Sequence, residues 1–186
     1  MTRLISEAEL GSKQLFLVLS PPDQLREQNL ALTGELLAAG YRVCVITTNY
    51  PYRVLLRLYA SAGLDLDRID FIDAITPYAL GAMPPPDPRC RFIQSPTDLT
   101  GIGIGVTELL AAHPGEQTCI LIDSVSTMLI YLSPTSLSKF IHFVANRLRL
   151  LDHSGIFLAV ERGLDPMLLT QLVTFVDATK VTSWVR

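Results

Sequence analysis

The chain has 186 residues, long enough for one domain with a substantial core. Hydrophobic residues make up 49% and charged residues 18%, which excludes an intrinsically disordered chain. The net charge of −3, with scattered basic residues, gives no electrostatic case for nucleic acid, and no apolar run reaches the ~18 residues that span a bilayer.

Residues 1–13 read as an N-terminal extension. The stretch from Met1 to Leu10 carries Glu7 and Glu9 and no long apolar region, so it does not read as a signal peptide. Strand Leu15–Leu19 comes next, then helix Gln24–Ala39, strand Val43–Thr47, helix Tyr52–Ala62 and strand Ile69–Ile72. Residues 74–97 read as a long loop, because Pro77, Pro84, Pro85, Pro86 and Pro88 exclude a long regular element there. A loop of that length in a compact domain is usually functional or flexible; as a partner surface it would offer Tyr78, Met83, Arg89 and Phe92. Helix Leu99–Ala112, strand Cys119–Ile122, helix Thr135–Leu151, strand Ile156–Val160, helix Met167–Phe175 and a last strand near Lys180–Trp184 complete the chain. The strands are continuously apolar, as expected where both faces of a parallel sheet are covered. Strand–helix alternation therefore predicts a three-layer αβα fold, one mostly parallel sheet with helices on both faces.

In the helix from Thr135, residues Leu137, Phe140, Ile141, Val144, Leu148 and Leu151 recur at helical spacing and form a stripe facing the sheet. His142 lies beside that stripe with no second ligand at metal spacing, so it reads as a solvated or half-exposed residue. His113 and His153 sit at helix ends, where a His suits the negative end of the dipole. Cys44 and Cys119 read as small core residues and Cys90 as a loop residue. No spacing suggests zinc or a disulfide framework, and a cytoplasmic setting follows by default. Helix starts repeat: Ser20-Pro-Pro-Asp23, Ser95-Pro-Thr-Asp98 and Ser133-Pro-Thr-Ser136 each offer a Ser cap followed by Pro, and Asp165-Pro166 does the same.

The stretch from Leu15 to Asn29 has the layout of a phosphate-binding loop, an apolar strand followed by a tight turn and a helix. A P-loop uses glycines to wrap backbone N–H groups around phosphate, a Lys for the outer phosphates and a hydroxyl for Mg²⁺. Here the matching positions hold Ser20, Leu25, Arg26 and Glu27. The same residues also read as an ordinary capped helix start, with Asp23 favoured by the dipole in the first turn.

Several pieces together resemble the KaiC-like branch of the RecA-type ATPases, over roughly Gln14 to Trp184. Leu17-Val-Leu-Ser-Pro-Pro22 resembles the strand and first half of the Walker A loop. Val43-Cys-Val-Ile-Thr-Thr48 and Ile69-Asp-Phe-Ile-Asp-Ala74 resemble the next two strands, and Asp98-Leu-Thr100 a recurring helix opening. Cys119-Ile-Leu-Ile-Asp-Ser124 resembles a Walker B strand ending in its Asp. The resemblance implies a RecA-like sheet and a nucleotide site at Ser20, Pro21, Pro22, Asp23, Arg26, Glu27, Thr48, Asn49, Asp123 and Ser124. That site departs from the family at three points. The loop from Ser20 to Gln28 has no glycine and carries Asp23 and Glu27, which repel a triphosphate. Arg26 stands for the Lys. Asn49 and Tyr50 replace the paired acids that act on water, and neither is a carboxylate base.

Asp123 remains, either as a strand-end Asp bonding nearby backbone N–H groups or as a contact for metal or nucleotide. The expectation is a pseudo-ATPase acting as a regulatory or scaffold module through protein partners, with self-association into a RecA-like oligomer as one form and no metal or cofactor required. Binding of a nucleotide or other anion, with weak or no ATPase activity, is the alternative, in which ATP and Mg²⁺ are disfavoured. The candidate surface is the crevice at the carboxyl ends of the strands, lined by Ser20–Glu27, Thr48–Tyr52, Asp123–Ser126 and Glu161–Arg162. Tyr50 and Tyr52 either line it or pack on the next helix.

Overall fold

A computed structural model describes residues 3–12 and 14–182 of the chain. Seven strands form one sheet: β1 (Leu15–Ser20), β2 (Arg42–Thr47), β3 (Ile69–Asp73), β4 (Cys90–Phe92), β5 (Thr118–Asp123), β6 (Ser154–Val160) and β7 (Ala178–Val181). Their order is β4-β3-β2-β5-β6-β1-β7, and every pairing is parallel. The helices are α1 (Glu7–Ser12), α2 (Leu25–Ala38), α3 (Tyr52–Ser61), α4 (Thr76–Leu80), α5 (Leu99–Ala112), α6 (Val125–Met128), α7 (Pro134–Leu150) and α8 (Pro166–Phe175).

The apolar strands split their side chains between two cores because successive residues point to opposite faces. Leu15, Leu17 and Leu19 of β1 join Ile120 and Ile122 of β5 under α5, α7 and α8. Phe16 and Val18 join Val43, Val45 and Leu121 under α1, α2 and α3. This is the expected three-layer α/β arrangement. The stripe on α7 is buried from Leu137 through Leu148, while Leu151, which caps the helix, is 43% exposed. Cys44 and Cys119 are buried core residues, and His142 is exposed. On α5, Gly105 permits close approach to the sheet: a Cβ there would lie 3.2 Å from Ile72 Cδ1 and from Arg91 Cδ.

The structure corrects several local expectations. The 74–97 segment holds two short elements, α4 and β4, and β4 pairs with β3. Cys90 is therefore a buried strand residue, since even a three-residue strand beside β3 turns its side chain inward. α1, α6 and the 3-10 turns at Pro22–Gln24 and Leu66–Arg68 were not expected. The last strand ends at Val181, and Ser183 and Trp184 lie outside the described residues.

Two of the four helix starts follow the expected cap. Ser133 accepts from Ser136 N at 3.2 Å and Asp165 from Leu168 N at 2.9 Å. At α5 the cap is Asp98, which accepts from Gly101 N at 2.8 Å, and Ser95 caps only the turn before it through Thr97 N. Ser20 caps nothing. It is the last residue of β1, and its hydroxyl turns to donate to the Pro21 carbonyl at 3.1 Å. Among the described residues no helix is long and apolar enough to cross a membrane.

Candidate functional site

Strand order places the crevice. β2 leaves the sheet through α3 toward β3, and its neighbour β5 leaves through α6 and α7 toward β6, on the opposite face. Neighbouring strands whose connections part in this way open a crevice at their carboxyl ends. Thr47 and Asp123 lie opposite each other in register at that point, and Thr48 N donates to the Asp123 carbonyl at 3.1 Å.

Asp123 is 1% exposed. Its Oδ2 accepts from Asn29 Nδ2 at 3.0 Å, while Oδ1 has no hydrogen-bond partner among the described residues. Burial raises its pKa to about 6, and the Asn49 and Asn29 side chains pull against that rise by favouring the charged form. The network continues: the Tyr59 hydroxyl donates to Asn29 Oδ1, and Thr33 donates to the Asn29 carbonyl at 2.8 Å. Burial also pushes the Tyr59 phenol up. One buried carboxyl thus links β5 to α2 and, through Asn29, to α3. Asp123 does not bond nearby backbone N–H groups through its side chain, as the simpler expectation had it.

Asp73, at the end of β3, makes the contrast plain. Its Oδ1 accepts from Ile75 N and Thr76 N, both at 2.8 Å. Its Oδ2 accepts from Tyr52 N at 2.8 Å and from the Thr76 hydroxyl. Both oxygens are satisfied by local donors that set the starts of α3 and α4, so Asp73 is a structural strand-end aspartate. Asp123 sits at the equivalent end of β5 with half its acceptor capacity unused.

Ser124 and Thr127 form a capping box at α6, and Thr127 Oγ1 lies 3.0 Å from Thr48 Oγ1. In front of these residues a pocket of about 360 Å³ is lined by Pro22, Asp23, Arg26, Glu27, Asn49, Tyr50 and Thr127, among others. The expected site residues therefore divide. Pro22, Asp23, Arg26, Glu27 and Asn49 face the pocket, whereas Thr48, Asp123 and Ser124 are buried behind it. Ser20 and Pro21 are buried and do not line it; neither do Glu161 and Arg162. Tyr50 lines the pocket. Tyr52 packs on Phe71 and Phe92, with ring centroids 5.5 Å away in each case.

The turn between β1 and α2 is short and closed. Pro22–Gln24 is a single 3-10 turn in which Gln24 N bonds back to the Pro21 carbonyl at 3.1 Å, and α2 starts without a side-chain cap. Pro21 and Pro22 supply no N–H donors. Arg26 is the pocket's single basic residue, and its guanidinium lies 3.9 Å from the Glu27 carboxylate.

In the Pro-rich segment, Tyr78 and Met83 are more than half exposed, and the Tyr78 ring meets Tyr131 edge-on at 5.4 Å. Arg89 pairs with Asp67 at 3.0 Å, and Phe92 is half-buried against Tyr52. Asn29, Thr33 and Tyr59 were not singled out from the sequence. A signal for them existed: Leu25, Asn29, Leu32, Thr33 and Leu36 share the buried stripe of α2, and polar residues at core positions of a helix mark a special site.

The chain belongs to a family of unknown function, DUF7504, whose model matches residues 11–179. No curated protein matches it. Among solved structures, an uncharacterized protein from Pyrococcus horikoshii, crystallised in complex with an unknown peptide, is similar with a TM-score of 0.66 and 16% identity. The match covers 98% of this chain and 84% of that one, a likeness of fold.

Proposed function

We propose that this DUF7504 member is a catalytically inactive KaiC/RecA-like domain that acts as a regulatory or scaffold module through protein contacts. The observation that carries it is the β1–α2 turn. A phosphate site needs converging N–H donors and a positive field. This turn has two prolines, two carboxylates facing the pocket, and one arginine beside one of those carboxylates. Asn49 and Tyr50, across the pocket, cannot take a proton from water as a carboxylate does. The peptide carried by the Pyrococcus horikoshii protein supports protein or peptide contact as the use of this fold here.

A second reading is favoured by one observation. The pocket at the first turn of α2 still contains Arg26 and is rimmed by polar groups, which suits a nucleotide or small anion held without turnover. Thermal melting with ATP, ADP or inorganic phosphate, each with and without Mg²⁺, separates the two. The scaffold reading expects no shift. A ligand present at ~100 times its dissociation constant adds ~2.7 kcal/mol of stability, and a shift of that size supports the second reading instead. Mg²⁺-dependent phosphate release abolished by Asp123→Ala would overturn both.

A further inference from the structure

Helices α5 and α7 lie on the same face of the sheet, and between them runs an apolar groove of about 650 Å³. Its centre is Ile104, 48% exposed, and Phe143, 49% exposed. Gly103 makes the groove: a Cβ there would lie 3.3 Å from the Phe143 ring, so Phe143 lies directly against the α5 backbone. Half-exposed Ile and Phe side chains meeting in one concave face are the usual core of a protein contact.

The charges at the two ends of the groove say what covers it. Both helices lead into parallel strands on one face, so they run in the same direction. Lys139 precedes Phe143 by four residues, about 6 Å toward the amino ends at 1.5 Å per residue. Glu108 follows Gly103 by five residues, about 8 Å toward the carboxyl ends. A lysine at one end and a glutamate paired with Arg91 at the other thus stand at nearly equal distances from the apolar centre. Among the described residues Lys139 makes no salt bridge. Arg91 holds Glu108 through Oε2, which leaves Oε1 for another donor. A twofold axis in the plane of this face, through the Ile104–Phe143 centre and perpendicular to the Lys139–Glu108 line, sets each lysine on the other copy's glutamate. An isologous contact needs this self-complementarity.

We infer that the α5–α7 face pairs with a second copy of this chain in a closed twofold dimer, with Ile104 and Phe143 at its centre and Lys139 opposite the partner's Glu108. The inference rests on the reading that the chain works through protein contacts, and it names one of them. Closure by a twofold axis separates it from a ring, whose heterologous contacts use two different faces.

Sedimentation velocity of the full chain across a wide concentration range tests it. A concentration-dependent dimer is expected, and Ile104→Glu makes it monomeric. Glu108→Lys, which sets a lysine beside Arg91 and opposite the partner's Lys139, weakens the dimer by about tenfold or more, whereas Lys139→Glu alone, which still meets the partner's Arg91, weakens it less. The two together restore it. The charge variants change exposed side chains, so they decide the matter even if Ile104→Glu fails to fold. A monomer at every concentration, a ring or higher oligomer, an unchanged dimer in folded Ile104→Glu, or a double swap that does not restore pairing would overturn the dimer. None of these outcomes touches the scaffold reading, which the nucleotide melts test separately.

Discussion

Asn29 donates to the buried Asp123 carboxylate at 3.0 Å, and that bond ties helix α2 to strand β5. The Asn29 amide oxygen is occupied in turn by the Tyr59 hydroxyl, so a single asparagine holds three elements at the head of the crevice. Among the described residues the other carboxylate oxygen, Oδ1, has no hydrogen-bond partner.

The first prediction concerns that carboxylate. Burial raises the Asp123 pKa from 3.8 to about 6, so the folded protein holds this proton more tightly than the unfolded chain does. The resulting stabilisation is fully present below pH ~4 and is lost as pH rises through ~6. A shift of this size corresponds to about 3 kcal/mol as an upper scale. Asp123→Asn should therefore be more stable than the wild type at pH 7.5, by about 1–3 kcal/mol, and should flatten the decline between pH 4 and 7. Urea denaturation across that range measures both. An Asp123→Asn protein less stable than wild type at pH 7.5 would show that the charged form is well solvated.

The second prediction separates the links of the network. Asn29→Ala leaves a buried charge without its donor, which costs about 3–5 kcal/mol at pH 7.5. The loss should shrink below pH 5, where Asp123 is neutral. Tyr59→Phe removes the donor to Asn29 Oδ1 and a long contact from the Thr33 hydroxyl at 3.4 Å, and should cost about 1–3 kcal/mol with little dependence on pH. A double-mutant cycle between them should show coupling, since they share one hydrogen bond. Additive losses would mean that the Tyr59–Asn29 bond is absent in solution.

The layered fold could be read from the chain because its determinants are local and repeated. Leu15–Leu19 and Cys119–Ile122 are apolar without interruption, Val43–Thr47 is apolar up to its last residue, and α7 has a strong apolar stripe. The crevice could be placed because it follows from the order of strands and helices. The inner site was less legible. Asn29, Thr33 and Tyr59 lie on two helices, and only folding brings them to Asp123. Asn29 and Thr33 stand in positions that pattern reading fills with apolar residues. The short elements α4 and β4 were hidden because their stability comes from pairing with β3 and from Asp73, not from their own propensity.

Helix starts give the third prediction, since the Ser-Pro pattern has three different outcomes. Asp98→Ala and Asp165→Ala remove side-chain oxygens bonded to Gly101 N and Leu168 N, and each should lower stability by about 1 kcal/mol. Ser95→Ala should cost less than Asp98→Ala, because Ser95 serves only the preceding turn. Ser20→Ala removes a hydroxyl that caps no helix, so α2 should keep its amide-exchange protection. Thermal melts rank the first three, and hydrogen exchange reads the fourth. Fraying of α2 in Ser20→Ala would restore Ser20 as the cap.

The last prediction turns on the difference between two strand-end aspartates. Asp73 receives three backbone N–H groups and one hydroxyl, which fix the starts of α3 and α4. Removing it strands all four donors at a fully buried position, so Asp73→Ala should cost about 3–5 kcal/mol or prevent folding. Asp73→Asn keeps the size but puts an NH₂ where a donor already points, and should recover only part of that loss. Asp123 has one side-chain donor, Asn29, at hydrogen-bond distance, so its exchange to Asn should go the opposite way at neutral pH. Placing both Asn variants side by side in one denaturation series checks the division of roles. If both substitutions destabilise to the same degree, Asp123 is as structural as Asp73.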